Sequence, residues 1–189
     1  MHKFLTLIFC ACLLTGASCQ LTSPSSSTTS INSEANDKII PANFAPYTLE
    51  EFSFIIPRAW TLDESQKSIN HTIHLFETTA STSTPQRSIS FTTFPLPDVL
   101  PTLGDLMTSA QKELNAAGVH NLQSDIIHIG TLDMLKTSFE VPSYTTLFYT
   151  SQYTLVGNGH LLLITETTSN KQTRTAFPSP DIISSVQIK

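Results

Sequence analysis

The chain reads as one α+β domain, an antiparallel β-sheet flanked by helices. Three observations lead there. Segments in which apolar residues recur at every second position are spread from Tyr47 to Thr168, the period of half-buried strands. One long amphipathic stretch, Leu103–Ala117, interrupts them with the 3, 4, 7 spacing of a helix. The run Leu161-Leu162-Leu163-Ile164 is apolar on both faces and needs cover on both sides. A layered arrangement of sheet and helices buries all of these surfaces.

Taken in order, Tyr47–Ile56 predicts the first strand, with Phe52, Phe54 and Ile56 on one face and Pro57 ending it. Ile69–Thr78 predicts a second strand carrying Ile69, Ile73 and Leu75 on one face, and Ser88–Phe94 a third carrying Ile89 and Phe91. Thr102 is the expected N-cap of the helix, with Asp105 three residues on to complete a capping box and to place a carboxylate at the positive helix end. Leu103, Leu106, Met107, Ala110 and Leu114 form its apolar stripe, and Gly118 supplies the stop. Strands then fit Asp125–Gly130, Met134–Val141, Tyr144–Val156 and His160–Thr168, the last two joined through Gly157-Asn158-Gly159, whose glycines permit a tight hairpin. Phe177, Ile182, Ile183 and Val186 predict a short helix opened by Pro178-Ser179-Pro180-Asp181, followed by an edge segment to Ile188.

The amino-terminal region has a different character. A basic start, His2 and Lys3, precedes an apolar run from Phe4 to Leu14; this fits the roughly 7–15-residue core of a secretory signal and is too short to span a bilayer. Leu14-Thr15-Gly16-Ala17-Ser18-Cys19 then resembles the lipobox of bacterial lipoproteins. That resemblance implies cleavage before Cys19, a diacylglyceryl group on its thiol and acylation of the new amino terminus, so that the chain meets the lipid bilayer through acylated Cys19. The expected organisation is a signal over 1–18, lipidated Cys19 and a tether over 19–44, and a single globular domain over 45–189. Cys10 and Cys12 leave with the signal, which excludes an intramolecular disulfide and a cysteine zinc site. The Ser/Thr-rich tether has too few apolar side chains to offset the cost of ordering its backbone, and as a flexible coil it reaches roughly 25–30 Å.

The full chain has 10 basic and 15 acidic residues; without Lys3 the balance is 9 against 15, or −6. An acidic domain with scattered Lys and Arg offers no footprint for nucleic acid or anionic headgroups.

The usual catalytic signatures are missing: no Gly-x-Ser-x-Gly elbow, no phosphate-cradling glycine loop with Lys, no His-Glu-x-x-His. His71 and His74, three apart on an expected strand, face opposite ways and cannot share a metal, and His71 is expected on the core face with Ile73 and Leu75. His120 and His128 are too far apart along a strand to pair. No metal or cofactor site is therefore expected. Two surfaces are candidates for a protein partner. Trp60, the single tryptophan, is either a lid on the sheet edge or a ligand-facing aromatic. The proline-stiffened loop Phe94–Pro101, with Leu96, Val99 and Leu100, is either a displayed contact surface or a rigid crossover with its leucines tucked in.

Phe52-Ser53-Phe54-Ile55-Ile56-Pro57-Arg58-Ala59-Trp60 resembles the strand-Pro-x-x-Trp entry of the PsbP-like superfamily, and the element order behind it is similar. The superfamily includes a photosystem extrinsic protein, DcrB-like envelope lipoproteins and a Ran-binding nuclear-import factor. The resemblance spans Tyr47–Lys189 and implies an α/β/α sandwich with a binding or assembly role and no shared active site. Together these readings give an expected function: a membrane-anchored envelope lipoprotein, at the outer membrane in preference to the inner, acting as a non-enzymatic accessory with a protein partner. The alternative is a periplasmic enzyme or small-ligand binder.

Overall fold

The computed structural model describes residues 40–77, 87–96, 100–144, 146–169 and 179–189. The expected signal, Cys19 and most of the tether, Val99 and Phe177 lie outside the described residues.

Strands β1 (Phe44–Leu49) and β2 (Phe52–Pro57) form an antiparallel hairpin with Leu49 opposite Phe52. This corrects the single strand expected over Tyr47–Ile56. The chain reverses at Glu50-Glu51, where Glu50 takes φ 48°, a left-handed conformation adopted by a residue without the usual turn chemistry. Pro46 is accommodated because β1 is an edge strand. The N–H of Ile55, opposite Pro46, points away from β1 and donates to Ser185 Oγ at 3.0 Å, so the missing proline donor falls on the open side.

Strand β3 (Trp60–Asp63), helix α1 (Lys67–Asn70), β4 (Thr72–Glu77) and β5 (Arg87–Pro95) follow. Ile73 and Leu75 are fully buried as expected, but Ile69 belongs to α1 and is 70% exposed. His71 closes α1 at φ 49°, with its side chain in solvent and Nδ1 2.9 Å from Glu50 Oε1. It is therefore not on a strand and not a core histidine. The alternation that included both residues was broken by a turn of helix.

Helix α2 (Leu103–Ala116) has the expected start: the Asp105 N–H donates to Thr102 Oγ1 at 3.1 Å and the Thr102 N–H donates to Asp105 Oδ2 at 3.1 Å. Leu106, Ala110 and Leu114 are its buried stripe. Gly118, at φ 75°, turns the chain out of the helix. Strands β6 (His120–Ile129), β7 (Leu132–Pro142), β8 (Leu147–Gly157) and β9 (His160–Thr168) form a meander, and helix α3 (Ser179–Ser185) and strand β10 (Gln187–Ile188) complete the domain. β6 starts five residues before the expected Asp125, and β8 starts after Tyr144, which stands in solvent.

Two antiparallel sheets result, β1-β2-β10 and β3-β4-β5-β9-β8-β7-β6. β9 is the middle strand of the larger sheet, and Leu161–Ile164 are all buried, as the two-faced apolar run requires. One core lies between the sheets: Phe52, Phe54, Ile73, Leu75, Phe91, Leu162 and Ile164 pack with Ile182 and Ile183 of α3. The rings of Phe54 and Phe91 stack at 4.1 Å between centroids. A second core on the other face joins Leu106 of α2 to Leu135, Leu161 and Leu163. Each such side chain removed from water contributes about 1.5–3 kcal/mol. The seven-stranded sheet is the middle layer, with α2 on one side and the small sheet and α3 on the other.

Candidate functional site

The face of the large sheet that carries α2 is not uniformly apolar. Strand register aligns Asp63, His74, Ser90, Thr165, Gln152, Thr137 and Ser124, one residue from each strand, into a polar row running the full width of the sheet. The row shares its face with Leu135 and Leu163 in the next row, because side chains two apart on a strand point the same way. Thr137 and Thr165 are buried, and Gln152 is only 2% exposed. The Gln152 Nε2 reaches Thr165 Oγ1 at 3.5 Å, the long limit of a hydrogen bond, and its Oε1 has no partner among the described residues. At the β3 end, burial pushes the His74 imidazole below its usual pKa, opposed by the negative charge of Asp63. His74 is thus held neutral, with Phe76 stacked on it at 6.0 Å.

An apolar lip precedes α2. The Leu96 N–H donates to Gly159 O at 2.7 Å, and its side chain packs with Phe94, Leu103, Met107 and Val156 around the second core. Leu100, two residues before the N-cap, is 50% exposed. The two leucines of this loop therefore divide: one anchors, one is displayed. Trp60 lies elsewhere. It packs on the first core at the start of β3, opposite Glu77 in β4, with the guanidinium carbon of Arg87 5.6 Å from its ring centre. Arg87 grips the Glu77 carboxylate through Nε at 2.7 Å and through a second, Nη2, contact. That pairing draws the Glu77 pKa down and the Arg87 pKa up.

A third cluster had no sequence signature, because its members are far apart in the chain. Tyr47 on β1 donates to Glu64, and Lys67 donates to the Tyr47 oxygen at 2.9 Å and to Glu64 at 3.0 Å. Burial and the Glu64 carboxylate push the Tyr47 phenol to about 12. The hydrogen bond from Tyr47 draws the Glu64 carboxyl down, and the bond to Tyr47 holds the Lys67 ammonium up. With the Glu50–His71 pair, these contacts clip the Glu64–His71 segment to the β1–β2 hairpin. His128 pairs with Asp133 across β6–β7, and a register irregularity separates His120 from Gln123 on the same strand. Among the described residues no group of three or more His, Cys, Asp or Glu is placed to hold a metal ion.

No protein-family model matches the chain, and no curated protein matches it. Solved structures do. Cyanobacterial PsbP (CyanoP) from Synechocystis sp. PCC 6803 superposes with a TM-score of 0.57 at 13% identity, over 82% of this chain and 98% of that one. The fold is PsbP-like. The Saccharomyces cerevisiae Ran-binding protein Mog1p shares it (TM-score 0.53, 7% identity, 77% of this chain and 95% of that one). So does LpqN of Mycobacterium tuberculosis, involved in cell envelope biogenesis (TM-score 0.51, 12% identity, 77% and 90%). The chain spans 45% of the length of a similar Bacteroides thetaiotaomicron protein. Within this PsbP-like fold, Pro57 ends β2 and Trp60 opens β3.

Proposed function

We propose that this protein is a non-enzymatic binding or assembly accessory of the cell envelope, held at a membrane, the outer in preference to the inner, through acylated Cys19 and capturing a protein partner on the lip ahead of α2. The display of Leu100 carries the reading. Leu96 packs against the second core and the Thr102 capping box fixes the helix start, so Leu100 displays an apolar side chain two residues before a fixed helix end. The lipobox-like sequence and the fold shared with LpqN, involved in cell envelope biogenesis, support the location. The fold shared with a Ran-binding protein supports a binding role.

The test is capture from native membranes with the wild type and Leu100→Asp. A carboxylate at an apolar contact loses hydration without a partner and costs several kcal/mol, so capture should fall while the folded domain is unchanged. Leu96→Asp is the less informative variant, because Leu96 is part of the core packing. Unaltered capture by Leu100→Asp would sink the lip, and a free thiol on the mature amino terminus by mass spectrometry would sink the anchor. A second reading, a small-ligand binder, rests on the unpartnered Gln152 Oε1 in the polar row; a ligand donating to that oxygen would raise the melting temperature of the wild type and not of Gln152→Met.

A further inference from the structure

Outer strands of a sheet carry unpaired N–H and C=O groups and pair with other strands unless blocked. Among the described residues four strands are outermost: β1, β10, β3 and β6. Three are blunted. β1 contains Pro46, β10 has 2 residues, and β3 has 4 and ends at Asp63, whose carboxylate turns back to accept the Ser65 N–H at 2.8 Å. β6 has 10 residues, with no Pro, Lys or Arg and no residue fully buried. Past the irregularity between His120 and Gln123, its pairing with β7 is regular to Ile129.

The direction of its free groups follows from the hairpins. The two-residue Asn158-Gly159 turn makes Gly157 and His160 a hydrogen-bonded pair, and such pairs alternate along an antiparallel ladder. Carried across β8 and β7, the alternation bonds Asp125, Ile127 and Ile129 to β7. The Gly130-Thr131 turn, flanked by the Ile129–Leu132 pair, gives the same phase independently. Ser124, Ile126 and His128 therefore direct their N–H and C=O groups to the open edge. Ile126 is the midpoint of the regular stretch Gln123–Ile129, and at 43% exposed it is the exposed large hydrophobic residue of this strand.

We infer that two copies of this chain join β6 to β6, antiparallel about a two-fold axis at Ile126, into one continuous sheet. A two-fold axis perpendicular to the sheet keeps every residue on its own face, so the axis must fall on a residue. At Ile126 it pairs all of Gln123–Ile129 without remainder. Ile126 meets Ile126 of the second copy, and Ser124 and His128 meet each other twice, each pair exchanging two main-chain hydrogen bonds. Leu135, opposite Ile126 in β7, continues the apolar row on both sides of the axis. Asp125 then faces Ile127 of the second copy, whereas an axis at Asp125 would set two carboxylates against each other. The occupant is a second copy because this register is self-complementary in its main-chain hydrogen bonds and sets no two carboxylates opposite each other.

Light scattering and sedimentation of the full chain should find a dimer that dissociates on dilution. Ile126→Pro removes an N–H that faces the open edge and takes no bond from the β6–β7 ladder; it should weaken association by about tenfold or more while leaving the circular dichroism of the monomer unchanged. Ile126→Lys, which sets two like charges at the axis, should do the same and covers the case in which the proline variant does not fold. In the wild type, exchange of the Ile126 amide should slow with rising concentration. A chain that stays monomeric at the highest concentration reached overturns the inference, as does a dimer that survives both substitutions or whose Ile126 amide exchanges freely.

Discussion

Gly157, at the end of β8, lies directly against Ile188 of β10: a Cβ built on the glycine would stand 2.4 Å from Ile188 Cδ1, 3.0 Å from Cγ1 and 3.2 Å from Cγ2. Three carbons of one side chain crowd the position, so no single methyl rotation clears it. Gly157 is not needed for its backbone freedom, since the positive φ values of this turn belong to Asn158 and Gly159. Gly157→Ala should therefore cost about 1–3 kcal/mol through overpacking, read by chemical denaturation. Adding Ile188→Ala should return most of that cost, a coupling that a double-mutant cycle measures. Equal losses with and without Ile188→Ala would mean that the glycine matters for another reason.

Gln152 offers the opposite sign. A buried amide oxygen without a donor carries its desolvation cost unrepaid, and replacement by an apolar side chain of similar shape is neutral or stabilising. Gln152→Met should leave stability unchanged or raise it by about 1 kcal/mol. A loss of about 2 kcal/mol or more would mean that a donor within the protein already reaches Oε1, which removes the basis of the small-ligand reading.

Trp60 reports on its own environment, because it is the single tryptophan of the chain. Arg87→Met removes the guanidinium from the ring and leaves Glu77, partly buried, without its strong donor. A shift of the Trp60 emission and a loss of about 1–3 kcal/mol are expected. Because Arg87 holds the Glu77 pKa down, the pair stabilises the fold above the unfolded carboxylate pKa, and that contribution fades as pH falls through the folded value. An unchanged emission would remove Arg87 from the tryptophan's surroundings.

His74 imposes its own pH dependence. Its folded pKa lies below the unfolded value near 6.5, so the unfolded chain binds the proton first. Stability should be full at neutral pH and decline as pH drops through the unfolded pKa, levelling off below the folded one. His74→Gln should flatten this slope below about pH 7. A slope that persists in the variant would assign the effect to other groups.

Local chemistry was legible where a residue type has one strong preference. Thr102 with Asp105 located the start of α2, the two-faced Leu161–Ile164 run marked the central strand, and Gly157-Asn158-Gly159 located the β8–β9 hairpin, although its two left-handed residues are Asn158 and Gly159 and not the two glycines. What failed was a turn made without turn residues. Glu50 adopts φ 48° under the pull of the paired strands and the His71 contact, and nothing in Leu49-Glu50-Glu51-Phe52 signals it. The two-residue period of Ile69, Ile73 and Leu75 places the start of β4 too early, because a helical turn over Lys67–Asn70 interrupts it. The polar row has no signature in the sequence, because its members come from seven strands and their alignment depends on strand order, which is set by long-range pairing. The same holds for Trp60, whose cationic partner lies 27 positions away in the sequence.

The Ser185 hydroxyl on the Ile55 N–H joins positions 130 apart in sequence, and Lys189 reaches Thr48 across 141. β2 is thus enclosed by β1 from the start of the domain and by α3 and β10 from its end. During synthesis the first core must wait with one side open, because the residues that seal it are made after all the strands of the large sheet. Loop closure over such a span is slow compared with local hairpin formation, so the first core cannot close until residues 182–189 have been made.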